Sequence, residues 1–346
     1  MKHLIPVLML FILGSCKEKK GPDISKVKFD LKVQRFEQDF FAIDTNNIEA
    51  SYQKLGKSYP YFLNDFNTNI LGLPPLTDSN PHVADAIRKF IADYKPVKDS
   101  VDKVYASMDK TIEQVEDGIR HVLYYFPNYK APQTLVSFIG PMDAIYETSI
   151  RAQGDVITTN ALAVGLQLHM GANYSLYTSD FGRSLYPAYI SARFTKEMIP
   201  VNCMVNIIDD MFPDKSYTKS LVEQMVEKGK RIYLLNLFLP NTADTLKLGY
   251  TKKQLEGCYD NEGLIWNYFL SNSLVYNKDP SIIKNYIGDA PHTQELGEGS
   301  PGYIGLFTGW RIVSEYMEKY PDVTPAVLMQ TDARQVFELS KYRPKN

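Results

Sequence analysis

Residues 101–122 read VDKVYASMDKTIEQVEDGIRHV, and their apolar positions decide the fold class. Val101, Val104, Met108, Ile112, Val115, Ile119 and Val122 recur at steps of three and four, the spacing that lines one face of an α-helix. The pattern predicts one long helix running up to Pro127. Upstream, Pro81 stands behind the capping candidates Ser79 and Asn80 and starts a helix whose Val83, Ile87, Phe90 and Tyr94 share a face. Pro96 is read as its end, because proline lacks the amide proton and clashes with the preceding turn.

Farther out the period changes. Val27, Phe29, Leu31 and Val33 alternate with Lys28, Asp30, Lys32 and Gln34, the pattern of a half-buried strand. Stretches 133–139 and 155–169 are rich in β-branched and apolar residues but broken by Gly140-Pro141, Gly154 and Gly165, so short strands and loops are expected there. Helices then resume. Thr195 can cap one running to about Met211, Tyr217-Thr218 precedes one over about 219–239, and Thr251 with Gln254 forms a capping box. A helix over 303–320 carries Gly305 and Gly309 one turn apart, where missing side chains admit another backbone, and a short one follows Asp332. The reading is one α+β domain, predominantly α-helical, with short strands and no internal repeat.

The amino terminus has its own grammar. Lys2 and His3 precede an apolar run over 4–13, and Leu13-Gly14-Ser15-Cys16 is a small-residue cleavage site ending on cysteine. Ten apolar residues interrupted by Pro6 fall short of the roughly 20 that span a bilayer. Residues 1–15 are therefore expected to be a lipoprotein signal peptide, with Cys16 the lipidation site and the membrane a partner through that lipid. Residues 16–26, charged and containing Gly21 and Pro22, read as a flexible tether, and 27–346 as the folded domain. A hydrophobic content of 44% is too high for a disordered chain, and a formal net charge of −2 gives no reason to expect nucleic acid as a partner.

Chemistry-bearing patterns are sparse. Zinc hydrolases place H-E-x-x-H on one helical face so that two imidazoles share a metal. Here His82, His121, His169 and His292 are isolated from one another, and no metal or cofactor is expected. His169 is the most suggestive, near Asp155 and Asn160, although a lone histidine is more often a hydrogen-bonded structural residue. Nucleophile motifs are missing, and 297–302, although glycine-rich, carries Pro301 beside Glu295 and Glu298, which suits a turn better than a phosphate cradle. Asp209-Asp210, Glu113 with Asp117, and Asp143 with Glu147 and Asp155 are acidic groupings of the kind that solvated helix faces also produce. Glu262 and Trp266, one turn apart on an apolar helix, can line a ligand groove or form a core edge. Asp155, His169, Glu262 and Trp266 are thus candidate groove residues, with no catalytic assignment. Cys203 and Cys258 sit in apolar contexts and read as buried free thiols, with pairing the alternative.

The segments Ser58-Tyr59-Pro60-Tyr61-Phe62, Asn69-Ile70-Leu71-Gly72, Tyr186-Pro187-Ala188-Tyr189, Asn261-Glu262-Gly263-Leu264-Ile265-Trp266, Asp289-Ala290-Pro291-His292-Thr293, Gly309-Trp310-Arg311-Ile312-Val313 and Ser340-Lys341-Tyr342-Arg343-Pro344 resemble the gliding motility lipoprotein GldB family. The resemblance implies an outer-membrane lipoprotein of the cell envelope. It would serve surface gliding and the type IX secretion apparatus, with proteins of that machinery as partners. The family in turn resembles zincin-type metallopeptidases in degenerate form. Here the helix with Ile199-Pro200-Val201-Asn202-Cys203-Met204-Val205 offers neither His nor Glu, and Lys228 stands before Gly229 where an acidic ligand is expected, Glu227 being displaced by one. Those departures imply a metal-free pseudoenzyme acting as a binding or assembly factor. The alternatives are a hydrolase with an unconventional site around His169, Asp155 or Glu262, and a glycan- or peptide-binding surface lipoprotein using its 24 tyrosines.

Overall fold

A small mixed sheet divides the molecule in two. The computed structural model describes residues 21–76 and 80–344; the expected signal peptide, Cys16 and the capping candidate Ser79 lie outside them. Strands β1 (Lys32–Arg35), β2 (Thr134–Phe138), β3 (Val156–Ile157) and β4 (Ala161–Gly165) align in the order β1-β2-β4-β3. β1, β2 and β4 are parallel, in the registers Lys32↔Thr134 and Thr134↔Ala161. β3 closes one edge antiparallel to β4, Val156 opposite Ala163.

Alternation along β2 sends its side chains to two cores. Leu135 faces the larger core with Leu162 and Val164, whereas Val136 and Phe138 face a second with Ala161 and Ala163. Every residue of β4 is buried, as expected for parallel strands covered on both faces. The second core is aromatic: α1 (Phe36–Phe41), α2 (Ile48–Ser58) and α3 (Phe62–Asp65), which runs into a π-turn, put Phe36, Phe40, Phe62 and Phe66 in stacked, tilted and edge ring contacts 4.7–6.1 Å apart with one another and with Phe138. α4 (Pro81–Val104) closes it with Val83 and Ile87, and α5 (Asp109–Tyr125) crosses to the larger core.

Three expectations about this half are corrected. Pro96 does not end its helix: α4 runs through it to Val104, with Val97 and Val101 buried beyond the proline and Lys95–Asp99 and Lys98–Asp102 pairs on its outer side. Burial of an apolar face outweighs the one amide bond that proline removes. The continuous pattern over 101–122 is two helices, not one. The chain breaks after Val104, where the Tyr105 hydroxyl donates to the His169 carbonyl at 2.7 Å and Ser107 Oγ accepts from the Asp109 amide. The strand expected over 27–33 starts only at Lys32 and runs on to Arg35, because Glu116 and Arg120 of α5 take the Leu31 amide and the Phe29 carbonyl before β1 begins.

Short helices α6 (Ser175–Thr178), α7 (Asp180–Leu185) and α8 (Ala188–Ser191) follow the sheet. Then come α9 (Ile199–Met211), entered through a 3-10 turn at Lys196–Met198, and α10 (Leu221–Phe238). Ser220, rather than a residue nearer Tyr217, caps α10 in a box with Glu223. After α11 (Asp244–Leu248), the expected box of Thr251 and Gln254 opens α12 (Lys252–Asp260). α13 (Glu262–Ser271), α14 (Pro280–Ile287), α15 (Ile304–Lys319), α16 (Pro325–Gln330) and α17 (Ala333–Ser340) complete the chain. Gly309 of α15 crosses Gly229 of α10, and a Cβ on Gly309 would fall on the Met225 carbonyl. That close crossing builds the larger core.

Candidate functional site

The sheet edge brings two of the sequence-derived candidates into one pair. Asp155 enters β3 and His169 leaves the 3-10 turn (Leu166–Leu168) behind β4, so the β3–β4 hairpin sets them face to face. His169 Nε2 lies 2.8 Å from Asp155 Oδ2, and its Nδ1 lies 2.9 Å from the Thr195 carbonyl. Asp155 also accepts from the Gly165 amide at 3.0 Å and from Asn202 Nδ2 of α9 at 2.9 Å. Gly165 is required here, since a Cβ would sit 2.8 Å from the Gly154 carbonyl.

Both residues are buried. Burial disfavours the imidazolium, yet the Asp155 charge and hydrogen bond and the Thr195 carbonyl raise the His169 pKa above its usual value. A ring with a carbonyl on one nitrogen and a carboxylate on the other is satisfied as the doubly protonated cation. The pair ties the hairpin to α9 and to the segment before it. Neither ring nitrogen is left over for a further partner.

A layer of amides lies beside this pair. Gln153 Nε2 donates to Asn206 Oδ1 at 3.0 Å and to the Asn202 carbonyl at 3.2 Å. Gln153 Oε1 and Asn206 Nδ2 are buried without a hydrogen-bond partner. Asn202, Cys203 and Asn206 stand at the spacing at which a metallopeptidase helix carries His, Glu and His. This relation between Asn202 and Asn206 was open to the sequence as an i, i+4 pair of amides on an otherwise apolar helix. Cys203 is free and buried, its thiol pushed well up by burial and the Asp155 charge; Cys258 is also free and buried, with its thiol pushed up to about 12 by burial and by Glu262.

One turn along α9, cations replace amides. Asp209 Oδ2 accepts from the Ser149 amide at 2.7 Å, and its Oδ1 lies 3.5 Å from Arg231 Nε. Lys228 of α10 donates to the Ser149 carbonyl and to Asp214 at 2.7 Å. Burial alone would raise the Asp214 pKa, but the Lys228 and Arg231 charges bring it to about 2. Asp210 accepts from Tyr129 at 2.8 Å. Among the described residues no group of three or more His, Cys, Asp or Glu side chains is arranged to hold a metal ion.

Glu262 and Trp266 belong to a different cluster. Glu262 Oε1 accepts from Arg311 Nε of α15 and from the Tyr342 hydroxyl, both at 2.8 Å, and Trp266 stacks edge-on against Phe337 and Tyr342. They clamp α17 and the chain beyond it to α13, and no hydrogen bond joins them to Asp155 or His169. The more exposed tyrosines, among them Tyr61, Tyr124, Tyr217, Tyr259 and Tyr276, stand on separate elements. Among the described residues no helix is long and apolar enough to cross a membrane.

Comparison with known proteins gives a match to one family, described as gliding motility protein GldB, over residues 17–344. No curated protein and no solved structure matches the chain.

Proposed function

Because the chain belongs to the gliding motility protein GldB family, we propose that it is a lipid-anchored cell-envelope protein supporting gliding and the associated type IX secretion apparatus at the outer membrane. It does so as a binding or assembly factor with no catalysis of its own. The match over residues 17–344 carries this reading, since it takes in nearly the whole chain and not one isolated motif.

The non-catalytic part rests on side-chain chemistry. An amide is a weak metal ligand beside imidazole or carboxylate, and the Asn202 nitrogen is taken by Asp155 and the Asn206 oxygen by Gln153. Cys203 supplies no carboxylate for general-base work. Lys228, standing before Gly229 where an acidic ligand is expected, is a cation already paired with Asp214 and supplies no ligand for a divalent cation.

Two measurements test the reading. Replacing the gene with a Cys16→Ser copy in a gliding host should release the protein from the outer membrane and abolish colony spreading and secretion of surface proteins. Unimpaired spreading and secretion would refute it. Metal analysis of the purified chain should give substoichiometric zinc, and one zinc per chain would overturn the non-enzymatic assignment.

A further inference from the structure

A cleft of about 250 Å³ opens between α8, α11, α12 and the loop before α15. Its lining carries three charges, Arg151, Arg193 and Asp289, and the remainder is neutral, including Tyr189, Tyr303 and Gln254. Arg193 grips Asp289 through two contacts of 2.6 and 3.0 Å. Arg151 is buried and meets no carboxylate at ion-pair distance; its guanidinium donates to the carbonyls of Leu246 and Lys247 at the end of α11. It is held over Gly249, whose φ of +73° ends that helix and whose missing Cβ leaves room for the guanidinium.

Two guanidiniums therefore line a cleft that holds one carboxylate, and Arg193 alone pairs with it. Capping the end of α11 accounts for where Arg151 points, but it does not account for a second arginine beside it. Burying a cation without a counter-ion is costly. Burial, with Arg193 next in effect, lowers the Arg151 pKa to about 10, which marks a site short of negative charge. Five guanidinium donors in a rigid fork suit a carboxylate held by two oxygens, and the cleft is smaller than the roughly 300–1,000 Å³ of drug-sized pockets.

We propose that this cleft binds a single carboxylate group, carried either by a small organic acid or by the free C-terminus of a polypeptide, which lies between Arg151 and Arg193 and supplies the negative charge that Asp289 provides only once. The site is independent of whether the chain serves gliding.

Calorimetric titration of the full chain in detergent separates the outcomes. The probes are N-acetyl-trialanine as the free acid, its C-terminal amide, and propionate. The free acid should bind saturably and at least tenfold more tightly than the amide. Asp289→Asn, which removes the competing carboxylate, should tighten binding severalfold, and Arg151→Lys, which keeps the charge but loses the fork, should weaken it about tenfold. Propionate binding as well as the peptide acid identifies a small acid as ligand, and a stronger peptide acid identifies a chain end. Absence of saturable binding, equal binding of acid and amide, or unchanged affinity in Asp289→Asn would overturn the proposal.

Discussion

Replacing Asp155 with alanine tests what the pair at the sheet edge is for. The substitution strips His169 Nε2 of its partner at 2.8 Å and orphans the Gly165 amide and Asn202 Nδ2, both within 3.0 Å of the carboxylate. Removing one member of a buried ion pair costs roughly 3–5 kcal/mol, and each buried donor left unsatisfied costs about 1–3 kcal/mol. These contributions overlap, and loss of the ring proton relieves part of them, so about 4 kcal/mol is expected. The pH dependence has a definite sign. His169 has a raised pKa in the folded state, so its contribution is whole below the unfolded value of about 6.5 and fades as pH rises through the raised value. The penalty of Asp155→Ala should accordingly be largest at pH 6 and shrink toward pH 9. Urea unfolding followed by the fluorescence of Trp266 and Trp310, both buried, reports it at each pH. Asp155→Leu combined with His169→Phe should regain only the part of the loss due to the unpaired imidazole, since an apolar pair can replace a buried ion pair but leaves the Gly165 amide, Asn202 Nδ2 and the Thr195 carbonyl without their partners. A cost under about 1 kcal/mol with no pH trend would refute the idea that this pair binds the hairpin to α9.

Two further outcomes follow from the packing. Gly309→Ala should destabilise the chain by about 3 kcal/mol or prevent folding, because a Cβ there collides with the Met225 carbonyl and the backbones of α10 and α15 must separate; a urea midpoint equal to that of the parent would contradict the close crossing. Lys228→Met should lower stability near neutral pH by about 1–3 kcal/mol, because it strips the part-buried Asp214 of its charged partner. Asp214 has a depressed pKa, so its contribution in the parent is whole above about 3.8 and lost as pH falls toward about 2; the stability gap between parent and variant in urea unfolding should therefore narrow as pH falls through that range, and a gap that stays constant would contradict the pairing.

How much of this was legible in the sequence depended on whether a feature is local. The box of Thr251 and Gln254, the short helix behind Asp332 and the apolar stripe within 109–122 are decided by residues close along the chain, and all three appear where the pattern put them. The close approach at Gly309 was anticipated in kind, although its partner, Gly229, lies on another helix. Pro96 and the break at Tyr105 were misread because contacts made elsewhere override the local signal: a buried face carries α4 past its proline, and Tyr105 turns out to reach His169.

The candidate site divides the same way. His169 and Asp155 stood out as residue types, and sequence alone determined that no His-Glu-x-x-His helix exists in this chain and that the segments shared with its family run nearly end to end. Only the tertiary structure decided that Asp155 spends its oxygens on His169, Gly165 and Asn202, that Glu262 pairs with Arg311 and Tyr342, and that Arg151 lines one cleft with the Arg193–Asp289 pair. Arg151 and Asp289 stand 138 positions apart along the chain. Ion pairs and burial act through space, and no spacing rule connects residues that the chain brings together only after the sheet and helices have closed.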